Sequence, residues 1–401
     1  MKVLVITPYL GSNYGGISKI VVEQCQTLKN QDITLDVVTT NANTTEKLEQ
    51  PLNVWLTKNN YRIKYFDCWH RNDFIISFRL INWVFNNVAN YDLVHIHTIF
   101  APMISLITLV CQFRKIPYVV APHGMLEPWA LAYKAWKKTL YFNLLEKSSL
   151  TKAQAIHVTG SSENEHIKSL GFKNSVLIPN GIARQELELL PDPEIFYQQF
   201  PGTRNKTLIL FLGRIDPKKG LDLLAPAFAK VRDNFPEIHL VIAGPDSIGF
   251  MSTVKDYFSQ VGCLDAVTFT GMLTGSLKYA ALAVANLYIA PSYSEGFSMS
   301  ILEGMASGLP CIITTGCNFP EAANAKVAHV VDINANAIAN ALTKCLKYPQ
   351  QAKLMGIKAR KFIFKYYTWN HSAKKLTQVY NIINNSKYLH NHNQFDWKIL
   401  R

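Results

Sequence analysis

At 401 residues the chain exceeds one ordinary hydrophobic core and fits two domains of about 150–200 residues each. A hydrophobic content of 48% against 17% charged residues excludes a disordered or fibrous chain. The net charge of +13 comes with no nucleic-acid motif, so an anionic membrane surface is the first reading for a partner, solvent the second and nucleic acid the third. The charge is concentrated: no acidic residue lies between Asp332 and Asp396, a stretch that holds Lys344, Lys347, Lys353, Lys358, Arg360, Lys361, Lys365, Lys374, Lys375 and Lys387. No apolar run reaches the roughly 18–20 residues of a membrane span, and Met103 to Phe113 is the longest. Met1 to Ile6, followed by Thr7-Pro8, reads as a strand and not a leader, so a cytoplasmic protein is expected. Seven cysteines without a Cys-x-x-Cys pair fit reduced, mostly buried thiols, and no metal-ligand spacing is present.

Residues 3–6 form the first strand. Tyr9 to Gly16 is a glycine-bearing loop ahead of a helix over Ile17 to Leu28, and Gly11, Gly15 and Gly16 do not spell the Gly-x-Gly-x-x-Gly dinucleotide fingerprint. Gly15-Gly16 at a helix start permits close backbone approach to a ligand, or is an ordinary strand-to-helix turn. After the strand Leu35 to Thr39 the chain is irregular and polar to about residue 60, and no pattern emerges between residues 41 and 90. The strand Leu93 to His97 sets His95 and His97 on one face, in a structural role. His123 follows the buried strand Tyr118 to Ala121 and precedes Gly124, just past the strand end where open α/β sheets bind ligands.

Glu127 to Lys138 sets Trp129, Tyr133 and Trp136 with Lys134, Lys137 and Lys138 on an amphipathic helix, suited either to lipid head groups or to packing on its own domain. The strand Ala155 to Thr159, a helix opened by a box-like Ser162-Glu163-Asn164-Glu165, and Val176 to Ile178 ahead of the turn Pro179-Asn180-Gly181 complete a first domain over residues 1–186. Strands alternating with helices imply βαβ units on a parallel sheet. Leu190-Pro191-Asp192-Pro193 and Phe200-Pro201-Gly202-Thr203 then break the pattern, which marks residues 187–206 as an interdomain linker.

The second domain, residues 207–368, opens with the strand Leu208 to Leu212 and Gly213-Arg214-Ile215-Asp216-Pro217-Lys218-Lys219-Gly220. Two cations at the mouth of a strand-to-helix turn suit a diphosphate, whose charge needs compensation as it leaves. Strands at Leu240 to Ala243 and Val267 to Phe269 end in Gly244 and near Gly271. Leu287 to Ala290 is a further buried strand, followed by the loop Glu295-Gly296-Phe297-Ser298 and a helix that Gly308 and Pro310 stop. With Ser298 as N-cap, the N–H groups of that helix start suit a phosphate. Glu303 sits one to two turns inside, amid Ile301, Leu302, Met305 and Ala306, where a carboxylate needs donors such as sugar hydroxyls. The pattern reads as a nucleotide-sugar cradle, or else Glu295 is a solvated loop residue and Glu303 lies on an exposed helix face. After the strand Cys311 to Thr314 and several helices, a helix over about 369–386 begins at Trp369, and residues 387–401 form a tail.

Glu295 and Glu303, eight apart in a Glu-Gly-Phe…Leu-Glu run before Gly308-Leu309-Pro310, together with Gly213-Arg214…Lys219-Gly220, resemble the signature of the retaining family 4 (group 1) glycosyltransferases. The likeness runs from Gly15-Gly16 to the helix after Trp369, and departs where Lys29-Asn30-Gln31-Asp32 replaces a usual Gly-His. It implies an α/β protein of two Rossmann-like domains facing a central cleft (GT-B), with the last helix packed back on the first domain. It further implies Arg214 and Lys219 on the donor diphosphate, Glu295 on sugar hydroxyls, Glu303 on the ribose and His123 on the donor sugar. The donor site would then comprise Gly15, Gly16, Arg214, Lys219, Glu295, Gly296, Phe297, Ser298 and Glu303.

A nucleoside diphosphate sugar is therefore the expected co-substrate, and a lipid-linked or polysaccharide hydroxyl, or a soluble small molecule, the acceptor. Retention rests on the resemblance alone. No metal is expected, because lysine and arginine supply the positive charge and no Asp-x-Asp triplet occurs. A sugar phosphorylase or nucleotide-sugar epimerase of the same architecture, a nicotinamide-dependent oxidoreductase, which the missing fingerprint disfavours, and a decayed binding protein are the other classes.

Overall fold

The computed structural model describes residues 1–11, 14–28, 33–44, 46–58, 61–71, 74–132 and 135–386. The Lys29 to Asp32 turn, Tyr133, Lys134, Lys387 and the rest of the tail lie outside the described residues. The chain divides into two compact units, Met1–Asn180 with Trp369–Arg401, and Gly181–Thr368.

The first unit holds β1 (Lys2–Ile6), β2 (Thr34–Thr40), β3 (Ala42–Asn43), β4 (Glu46–Lys47), β5 (Trp55–Lys58), β6 (Tyr61–Phe66), β7 (Trp69–Arg71), β8 (Phe74–Ile76), β9 (Leu93–His97), β10 (Tyr118–Ala121), β11 (Ala155–Val158) and β12 (Ser175–Leu177). Eight of them make one sheet in the order β12-β11-β10-β9-β1-β2-β6-β5, parallel except for the β5–β6 pair. The short apolar runs are parallel strands because both of their faces are covered. Leu4 and Ile6 of β1 enter one core with Ile96, Val120 and Ile156, and Val3 and Val5 enter another with Val119, Leu376 and Val379. The second of these cores is closed by the helix Trp369–Ser386, whose Trp369 indole N–H donates to Glu23 and whose Ser372 Oγ donates to the Pro179 carbonyl at 2.5 Å.

The second unit carries β13 (Thr207–Leu212), β14 (Ile238–Ala243), β15 (Val267–Gly271), β16 (Leu287–Ala290), β17 (Cys311–Thr314) and β18 (His329–Val331) in the parallel order β15-β14-β13-β16-β17-β18. Chain order reverses between β9 and β1 in one sheet and between β13 and β16 in the other. At such points the strand-end loops diverge and leave a crevice for ligands.

Three expectations change. Residues 187–206 are no tether: the helices Arg184–Glu188 and Glu194–Gln199 pack into the second unit, with Leu187 and Phe196 only 1% and 0% exposed, and the boundary falls at Asn180. Pro191 and Pro193 precede a helix start, a place that tolerates proline. Residues 41–90, without pattern in sequence, hold β5 and β6 at the sheet edge, two ribbons, and the helix Phe78–Asn87. Ser162 is not the N-cap of a box with Glu165: the helix starts at Ser161 behind Gly160, and it is Glu163 that reaches back past the helix start. All seven cysteines are free and buried, as the composition suggests.

Phe196→Ala should destabilise the chain by about 3–5 kcal/mol, as for a fully buried aromatic. Urea unfolding of the intact chain checks this, and an unchanged midpoint would restore the linker reading.

Candidate active site

In the second unit three loops are pressed together at the switch point. After β13 the Asp216 carboxylate accepts from Lys218 N at 3.1 Å and starts a single turn, Pro217–Lys219. Gly220 closes that turn at φ +70°, and a Cβ there would lie 2.0 Å from the Pro291 carbonyl oxygen, so only glycine lets the loop after β13 lie on the loop after β16. Gly316, after β17, is equally constrained, with a Cβ meeting Tyr293 O at 2.4 Å. Hydrogen bonds complete the joint: Tyr293 N donates to Lys218 O and Glu295 N to Gly316 O, each at 2.8 Å.

At this joint the Lys219 Nζ donates to Glu295 Oε1 at 2.5 Å, and both residues are buried. Ser292 Oγ donates to the same oxygen at 2.7 Å, and Asn318 Nδ2 to the Glu295 carbonyl at 2.6 Å. Both side-chain bonds fall on Oε1, which leaves Oε2 to accept from a ligand. Burial pushes the Glu295 carboxyl up, but the charges of Lys219 and Lys218 and the two side-chain bonds hold it below the ordinary carboxylate range. Lys218 is held below the usual lysine range, first by burial and then by Lys219 and Arg214, against the pull of Glu295 and Asp216.

The two predicted diphosphate cations thus differ. Lys219 is committed to Glu295, whereas Arg214 is exposed, with Nη2 3.7 Å from Asp216 Oδ2. Ser298 stands at the N-cap of the helix Met299–Ala306, yet its Oγ meets Ser300 Oγ at 3.1 Å and caps no backbone N–H. The first-turn donors of that helix therefore have no side-chain cap and can serve an anion. The Phe297 ring packs on Phe319 and Tyr367, with centroids 5.5 and 5.8 Å away, which anchors the loop Glu295-Gly296-Phe297-Ser298 on the core. Glu303 is buried on the same helix, where Lys278 Nζ donates to its Oε1 at 2.9 Å.

The remaining predicted residues belong to the first unit. Gly15 has φ +79°, and Gly16 opens the helix Gly16–Leu28 with no atom within 4 Å of the place a Cβ would take. His123 itself lies in the left-handed region at φ +54°, as do Thr98 and Phe100 after β9. Three such non-glycine residues past the ends of adjacent strands mark a strained edge of the kind found at ligand sites. Glu163 holds the turn: its Oε1 accepts from Gly124 N at 2.6 Å and its Oε2 from Thr159 N at 2.8 Å. Glu127, one turn on, has Oε2 2.9 Å from His166 Nδ1, and burial together with Glu163 pushes its carboxyl up to about 7. Sequence reasoning missed Lys218, Lys278, Ser292, Asn318, Glu163 and the involvement of His97. Glu163 carried a signal, being an acidic residue in a helix first turn beside His123-Gly124 in space but not in sequence.

Residues 14–186 match the family model described as Glycosyltransferase Family 4, and residues 194–362 match the one described as Glycosyl transferases group 1. The chain belongs to this family of glycosyltransferases, is an enzyme of the hexosyltransferase type, and has the α/β fold of two Rossmann-like domains that defines GT-B. A phosphatidyl-myo-inositol mannosyltransferase of Mycobacterium tuberculosis (strain CDC 1551 / Oshkosh) is 25% identical to it over 304 residues, 74% of this chain and 75% of the relative. Sucrose-phosphate synthase from Thermosynechococcus elongatus superposes with a TM-score of 0.74 at 21% identity, over 95% of this chain and 98% of that one. Anabaena Alr3699/HepE in complex with UDP and glucose does so with a TM-score of 0.75 at 15% identity, over 95% and 99%.

Lys219→Met strands a buried carboxylate and should cost about 3–5 kcal/mol at neutral pH, while Arg214→Ala should change stability by no more than about 0.5 kcal/mol. The Glu295 carboxyl is depressed in the folded state, so its contribution is present above the unfolded value of about 4.3 and is lost as pH falls through the folded one. The gap between wild type and Lys219→Met should therefore narrow in acid. Thermal melts from neutral pH downward check this, and a constant gap would show that the pair does not control Glu295.

Proposed function

We propose that this glycosyltransferase moves a hexosyl unit from a nucleoside diphosphate sugar to a hydroxyl of a lipid-linked or polysaccharide acceptor, with retention at the anomeric carbon and with no bound metal ion. The observation that carries the donor reading is the Lys219–Glu295 pair at the β13/β16 switch point, between exposed Arg214 and the uncapped start of the helix Met299–Ala306. When the bond from the anomeric carbon to the diphosphate oxygen breaks, its electron pair stays on the diphosphate. Arg214, Lys218 and Lys219 supply the compensating charge, with the backbone N–H groups that follow Gly296, Phe297 and Ser298. Glu295 accepts from sugar hydroxyls through Oε2, and Glu303 accepts from the ribose beside Lys278. The roles of His123 on the sugar, of Gly15-Gly16 in close backbone approach, and of retention are those of the family. The HepE complex with UDP and glucose supports a donor of this class, and the name of the mycobacterial mannosyltransferase supports a lipid acceptor.

A membrane-bound acceptor agrees with the surface of the first unit. The sequence predicts one helix over Glu127 to Lys138, and the structure has the helices Pro128–Ala132 and Ala135–Tyr141 followed by the turn Phe142–Glu146. Trp136, Leu140 and Leu144 are 70%, 54% and 68% exposed, beside exposed Lys137 and Lys147. Apolar side chains rimmed by lysine suit an anionic lipid surface. Among the described residues no helix is long and apolar enough to cross a membrane.

Donor choice is read by thermal shift with nucleoside diphosphates and their sugars, then by transfer in excess chelator. One base and sugar should stand out, with the response lost in Glu303→Ala, and Arg214→Ala should slow transfer by an amount worth about 2–4 kcal/mol. Wild-type rates for Arg214→Ala, or loss of transfer on chelation, would overturn the charge assignment.

Binding to phosphatidylglycerol vesicles should weaken as salt rises and fall further in Trp136→Ser with Leu144→Ser. Binding equal in the wild type and the double variant would remove the membrane surface from the reading.

A further inference from the structure

Four histidines, His95, His97, His123 and His157, gather on and beside β9, β10 and β11, and their hydrogen bonds can be given a direction. The Ile178 carbonyl can only accept, so His157 Nε2, 2.9 Å from it, carries a proton. His157 Nδ1 is then an acceptor and faces His95 Nε2 at 3.4 Å, which places the His95 proton on Nε2. His95 Nδ1 is left with a lone pair and accepts from the Tyr380 hydroxyl at 2.6 Å. Burial, reinforced for His95 by the neighbouring rings, keeps both imidazoles neutral, with His157 pushed down to about 4.

A second pair leans on this chain. The His97 ring lies against His95, centroids 4.3 Å apart, and His97 Nδ1 is 2.9 Å from His123 Nε2. His97 Nε2 is buried and meets no hydrogen-bond partner. If the His97 proton stood on Nε2, that N–H would be an orphaned buried donor, the rarer and costlier kind of unpaired group. With the proton on Nδ1 it is donated to His123 Nε2, and only a lone pair goes unmet. His123, whose only hydrogen bond among the described residues is this one, must then hold its own proton on Nδ1.

We propose that His97 is a positioning residue that fixes the Nδ1–H tautomer of His123, so that His123 meets its ligand as a hydrogen-bond donor and not as a base. The functional consequence rests on the reading of His123 as a sugar-contacting residue. The tautomer itself does not. Outer-shell partners that orient a working imidazole are known to matter by roughly 10–100-fold when removed, and Asp-type partners show that the wrong tautomer can silence a histidine that is otherwise in place.

The experiment has two arms. In histidine-selective 15N NMR of the full wild-type chain, with His123→Asn used to assign the resonance, His123 should show a protonated Nδ1 and a bare Nε2. A proton on Nε2 overturns the proposal. In kinetics, His97→Leu should lower kcat roughly 10–100-fold while leaving the thermal shift with the preferred nucleoside diphosphate unchanged. His97→Asn, which keeps a donor near the Nδ1 position, should restore kcat to within a few-fold. Wild-type kcat in a folded His97→Leu overturns the proposal. If that variant does not fold, the wild-type spectrum still decides. A wild type that transfers sugar from no donor would sink the proposed function and leave the tautomer to the spectrum.

Discussion

The second unit depends on one buried ion pair. Lys219 and Glu295 are 76 residues apart in sequence and meet at 2.5 Å with both side chains almost out of water. Moving either charge there alone would cost several kcal/mol, and attraction repays that only with close geometry and further hydrogen bonds. The neighbourhood supplies both: Ser292 shares the bonded oxygen, Asn318 fixes the Glu295 backbone, and Gly220 and Gly316 let three loops approach closely enough for the pair to form. The pair is better understood as a device that sets the direction of a carboxylate than as a source of net stability. With Oε1 occupied twice, the carboxylate is ionised and can present its other oxygen.

The first unit solves the opposite problem. The strand-end edge that carries His123 is built from imidazoles that burial keeps uncharged, His123 down to about 3 and His97 well below its usual range. Glu163, which bonds the His123 turn at Gly124 N, lies above the ordinary range because burial outweighs the backbone N–H groups of Thr159 and Gly124. Both Glu163 oxygens are nevertheless taken up by donors from Gly124 and Thr159, beside a backbone already strained at Thr98, Phe100 and His123. A neutral, preorganised donor suits hydroxyl groups, which carry no charge.

How much of this was legible in the sequence follows from what each element is made of. Parallel strands buried on both faces are short apolar runs, so β1, β2, β9, β10, β13, β14, β16 and β17 could be read directly, and the loops at their ends with them. β5 and β6 could not, because edge strands alternate and the Asn-rich stretch around them resembles a loop. The Leu190-Pro-Asp-Pro segment misled for a different reason: proline before a helix start and proline in a tether look alike without the burial of Phe196. Arg214, Lys219, Glu295 and Glu303 were legible as a set because strand-to-helix turns fix where they must lie. Their partners were not, since Lys278, Ser292 and Asn318 arrive from other loops, and a hydrogen bond between distant residues leaves no spacing to detect. The same holds for His97, which the strand pattern made structural and which only the distance to His123 sets beside a candidate site residue.

Charge of both signs meets at the β13/β16 switch point. Arg214, Lys218 and Lys219 gather at the joint, with Glu295, Asp216 and, on the Tyr293 hydroxyl, Asp222 as the neighbouring carboxylates, so positive charge is present there without a formal surplus. The dipole of the helix Met299–Ala306, whose start has no side-chain cap, adds to it. Lys218 is depressed first by burial, while Glu295 and Asp216 pull it up and Lys219 and Arg214 push it down. On the proposed donor reading, a diphosphate set there would meet exposed Arg214 and a helix start that has no side-chain cap. In the proposed reaction, negative charge would grow on that diphosphate as the sugar bond breaks, and the attraction would increase with it. The same cations and helix dipole would then favour the leaving group that the proposed reaction requires.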